Sequence, residues 1–115
     1  MKYNYPIEKF GMAVHVLATN RHEIKTRLLE AFIEIVMLSE KDMPDALKED
    51  FNWVKNTLTK NPPKTIRCLR EGKVVEESTG SLGATVPYMR INKAVLVAER
   101  ICYIETRLQN EYRDV

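Results

Sequence analysis

The chain has 115 residues, 44% apolar and 30% charged, with a net charge of only +2. Those proportions suit an ordinary single globular domain and exclude a polyelectrolyte, a collagen-like chain and a disulfide-dense scaffold. No apolar run approaches the ~20 residues a membrane helix needs.

The N-terminal stretch imitates an export signal, with Lys2 and Lys9 ahead of the apolar FGMAVHVLA. Pro6 and Glu8 in its basic part and His15 in its apolar part speak against that reading. The two cysteines, Cys68 and Cys102, are far apart and form no Cys-x-x-Cys pair, so a reduced, cytoplasmic protein is expected.

The first helix is predicted over residues 7–18, where Ile7, Phe10, Val14 and Leu17 fall on one face. Gly11 costs it roughly 1 kcal/mol relative to Ala, so it depends on packing. A second helix is expected to start behind Asn20 as cap, with Glu23 reaching back as in a capping box. Ile24, Leu28, Ala31, Phe32, Ile35 and Leu38 recur at helical spacing, and AFIEIVML is apolar almost all round, broken only by Glu34. Such a helix is buried on every side or lies at an interface.

A third helix is predicted from DMPDAL, with Pro44 at its first position, to about residue 60, before Pro62 and Pro63. Leu47, Phe51, Val54 and Leu58 give it one narrow apolar stripe. The fourth helix follows RIN, with Asn92 as cap and Val97, Ile101, Ile104 and Leu108 as its main stripe. Ala94, Val95, Leu96, Ala98 and Cys102 widen that stripe beyond what one neighbour covers.

Between these helices lies the least regular stretch. TIRCLREGKVVEES admits a hairpin turning at Glu71-Gly72, but its alternation is poor and Glu-Gly is not a favoured turn pair. A long irregular connector over about 61–90 is therefore the expectation, with SLGATVP as a local turn packed through Leu82 and Val86. The fold class is then all-α, a four-helix bundle-like domain over residues 1–115, with the second and fourth helices central and the first and third outside.

Catalytic signals are absent from this pattern. His15 and His22 lack metal-ligand spacing, and Glu30 and Glu34 share a face without the Glu-x-x-His partner of bundle metal sites. GSLGAT lacks the Lys-Ser/Thr of a phosphate loop. The cations near Cys68, Arg67 and Arg70, favour a thiolate, but no histidine stands by in sequence. No catalytic residue, metal or cofactor is assigned.

Charge is the remaining lead. The balance is −1 over residues 1–59 and +3 over residues 60–115. Lys60, Lys64, Arg67, Arg70 and Lys73, with Arg90 and Lys93 beyond them, form a basic set suited to an anion or a nucleic-acid backbone. Tyr88 is the one aromatic close by, and Pro87 with the apolar AVLVA makes a poor recognition helix. The expected function is a small non-catalytic interaction or regulatory protein, a homodimer that contacts its copy through Ile33, Val36, Met37, Val97, Ile101, Ile104 and Leu108. The alternatives are a nucleic-acid binder using the basic set and an enzyme whose site is assembled from scattered residues.

Overall fold

Local chemistry sets where each helix begins and ends. In the computed structural model, which describes residues 2–114, α1 runs Asn4–Thr19 and opens three residues before its apolar repeat. Pro6 lies in the first turn, where its missing N–H has no intrahelical bond to lose. Phe10, Ala13 and Leu17 are buried, while Ile7 and Val14 are only partly covered, so the helix is rotated slightly from the expected stripe.

Asn20 closes α1 through its N–H to the Val16 carbonyl (3.0 Å) and does not cap the next helix. Its side-chain oxygen instead accepts from the His22 N–H at 2.8 Å, bending the link. An N-cap must directly precede its helix, and α2 begins only at Ile24 (Ile24–Ile35). Glu23 therefore takes the role. Its carboxylate accepts from the backbone N–H groups of Lys25 (3.0 Å) and Thr26 (2.9 Å).

α2 ends earlier than its apolar run. The Leu38 N–H bonds the Ile35 carbonyl at 3.1 Å, tightening the last turn. Ser39 and Asp42 then form a reciprocal cap around the 3-10 turn Glu40–Asp42. Leu28, Ala31, Phe32, Ile35 and Leu38 are in the core, whereas Ile33, Val36 and Met37 are 63%, 44% and 77% exposed.

Pro44 caps a second 3-10 turn, Asp45–Leu47, rather than opening the helix itself, and α3 follows over Lys48–Leu58. Its four-residue stripe, Leu47, Phe51, Val54 and Leu58, is buried throughout, as the spacing requires.

The segment expected to be irregular is ordered. Strands β1 (Lys64–Arg70) and β2 (Lys73–Thr79) pair antiparallel, with Arg70 opposite Lys73 and Lys64 opposite Thr79. Glu71 (φ 51°) and Gly72 (φ 77°) both have positive φ, the backbone whose twist suits a two-residue hairpin loop. Gly72 adopts it freely; Glu71 bears a steric cost that the flanking ladder overrides. A short helix, α4 (Ser81–Thr85), and a 3-10 turn, Val86–Tyr88, complete the link, with Val86 buried and Leu82 partly so. The side chains of Ile66, Cys68, Arg70, Val75, Glu77, Ser78 and Thr79 lie outside the described residues, and with them the expectations attached to Cys68 and Arg70.

α5 (Ile91–Glu111) is the longest element. It packs on α1, α2 and α3, and α1 also lies against α2. A Phe10–Phe51 edge-to-face pair at 6.3 Å ties α1 to the α3 side. The all-α class holds, with a single two-stranded ribbon added. One expectation is corrected here. Val97, Ile101, Ile104 and Leu108 are fully buried within their own chain, so they are core and not contacts for a second copy. α1 and α3 cover the stripe that composition alone left open.

The overall extents are 56 × 27 × 22 Å. A 21-residue helix is about 31 Å long and a seven-residue strand about 23 Å, so the long axis needs the ribbon to project beyond the helices. Beyond its own pairing, the ribbon packs mainly against α4.

Candidate anion-binding cleft

Three segments meet where the ribbon leaves the helices: the end of α3, the α4 region and the start of α5. A cleft of about 350 Å³ opens between them, lined by Thr57, Lys60, Asn61, Thr85, Tyr88, Met89, Arg90 and Lys93.

Its walls are fixed by polar contacts that cross the sequence. The Asn61 N–H donates to the Thr85 hydroxyl oxygen at 2.9 Å, and the Asn61 side-chain amide donates to the Ala84 carbonyl at 2.8 Å. The Thr85 hydroxyl donates in turn to the Ser81 carbonyl at 2.7 Å. Thr85 is 6% exposed and both faces of its hydroxyl are used, so α4 is clamped to the end of α3. Across the turn, Lys25 donates to the Pro87 carbonyl at 3.2 Å.

The lining carries three cations and no acid. Lys60 follows the end of α3, Arg90 and Lys93 stand at the start of α5, and all three are exposed. Lys60 and Arg90 have no carboxylate partner among the described residues, while Lys93 lies 5.1 Å from the Trp53 ring centre. The first turn of α5 holds no acidic residue and no side-chain cap. Its positive dipole end therefore adds to the field of the cations. At the rim, the Lys64 ammonium lies 4.2 Å from the Tyr88 ring centre.

Four members of the predicted basic set thus converge: Lys60, Arg90 and Lys93 in the cleft and Lys64 at its edge. Arg67 is elsewhere, 3.5 Å from Glu76 on the ribbon, and Lys73 is exposed beside the turn. Sequence reasoning missed Thr57, Asn61, Thr85 and Met89. Asn61 reads as a plain residue ahead of Pro62-Pro63, and nothing in the sequence links it to Thr85, 24 positions on.

The other candidates do not assemble. No group of three or more His, Cys, Asp or Glu suited to a metal ion occurs among the described residues. His15 and Glu34 border a different groove, between α1 and its neighbours. Burial foremost, with Glu105 and Glu99 nearby, pushes the Cys102 thiol above its usual range, away from thiolate chemistry. No helix among the described residues is long and apolar enough to cross a membrane.

No protein-family model, curated protein or solved structure matches the chain.

Proposed function

We propose that the protein is a non-catalytic binding module that holds the phosphate backbone of a nucleic acid in the cleft, with the ribbon as an arm beside it. The convergence of Lys60, Arg90 and Lys93 around an acid-free concavity carries this reading. Phosphate oxygens accept charge-assisted bonds from Arg and Lys and are favoured at an uncapped helix N-terminus. With a net charge of +2, attraction comes from the local arrangement and not from the molecule as a whole. The sparse cysteines suit a cytoplasmic setting.

The test is an oligonucleotide titration at physiological salt. The wild type should bind with a dissociation constant of about 10⁻⁴ to 10⁻⁶ M. The variant Lys60→Ala/Arg90→Ala/Lys93→Ala should bind at least about tenfold more weakly, since each charged hydrogen bond is worth roughly 1.5–3 kcal/mol. Equal binding by the two proteins, or none by either, contradicts the reading.

A homodimer is the second reading, supported by the neighbouring exposed residues Ile33, Val36 and Met37 at the end of α2. Under it, light scattering at micromolar concentration gives twice the chain mass, and Met37→Asp returns the mass of one chain. A wild type of single-chain mass counts against it.

A further inference from the structure

Tyr88 is a large aromatic residue held at the surface beside the cleft. Tyr88 is 70% exposed, although Val86, two residues before it, is fully buried. The backbone beneath it is held: the Met89 N–H bonds the Val86 carbonyl at 3.1 Å, and Lys25 holds the Pro87 carbonyl. A fixed turn therefore presents an exposed aromatic residue at the mouth of an acid-free basic cleft. The Lys64 ammonium sits 4.2 Å from the ring centre, and Arg90 is two residues along the chain.

We propose that the ligand is a single-stranded nucleic acid, with one phosphate in the cleft and the adjoining base stacked on Tyr88. This rests on the cleft reading above. In a duplex, internal bases are stacked on their neighbours and offer no face to an aromatic side chain. In a single strand each base has a free face, and aromatic platforms beside cations are the means of holding it. The cleft volume of about 350 Å³ lies at the small end of ligand sites, which suits one nucleotide better than a double helix.

Fluorescence anisotropy with a labelled single strand, the matching duplex and an acidic peptide of equal charge tests this. The wild type should prefer the single strand. Tyr88→Ala should weaken single-strand binding roughly 5- to 150-fold, the equivalent of one lost base stack, with duplex binding unchanged. Tyr88→Phe should restore it, because stacking needs the ring and not the hydroxyl. The exposed position leaves the melting curve of either variant unchanged. Equal affinity for single strand and duplex, or indifference to Tyr88→Ala, overturns the stacking proposal, while loss of binding in the Lys60→Ala/Arg90→Ala/Lys93→Ala variant would still uphold the cleft. Tighter binding of the acidic peptide, or no binding of any probe, overturns both.

Discussion

Glu23 shows how one side chain redirects a stretch of chain. Its hydrogen bonds, the Lys25 N–H foremost and then the Thr26 hydroxyl and N–H, hold its carboxyl below the ordinary glutamate range. A depressed folded-state pKa contributes stability that is present above the unfolded value and fades as pH falls through the folded one. Glu23→Gln should therefore lower the melting temperature at neutral pH, and the gap from wild type should close on acidification below the usual glutamate range. A gap independent of pH would mean that the cap does not act through charge. The capping chemistry was legible in TNRHEI, but its assignment to Asn20 was not correct. Two plausible caps stood three residues apart, and only the closure of α1 on Asn20 decides between them.

At the scale of elements, periodicity was a good guide where one face is buried and a poor one where both sides of a stretch are apolar. The α3 stripe of Leu47, Phe51, Val54 and Leu58 has one solution, and all four are buried. For AFIEIVML every register buries something; Ile33 is exposed because it lies on the face of α2 opposite the core, while Val36 and Met37 lie beyond the helix end, which the Ser39–Asp42 cap follows. The ribbon was hidden for a different reason. Its turn pair, Glu71-Gly72, places a non-glycine residue at positive φ, against local preference. In α5, Ile101 is fully buried, and Ile101→Ala should cost about 2–5 kcal/mol, combining lost transfer energy with the cavity left behind. Urea denaturation measures it; a loss under about 1 kcal/mol would remove Ile101 from the core.

In the whole molecule the hydrophobic core and the proposed binding groups lie apart. Hydrophobic burial is concentrated where α1, α2, α3 and α5 meet, and the proposed binding groups sit at the junction with the projecting ribbon. The basic residue types were readable from composition along residues 60–93. Their meeting point was not, because it depends on Asn61 bonding to Thr85 and Ala84 across the ribbon. The account turns on the cleft cations meeting one phosphate together. The most direct measurement is single-strand affinity across a salt series, for the wild type and for Lys60→Ala/Arg90→Ala/Lys93→Ala. With one phosphate neutralised in the cleft, the wild-type slope of log affinity against log salt should be steeper than the variant's by about 0.7. Parallel lines for the two proteins would contradict it.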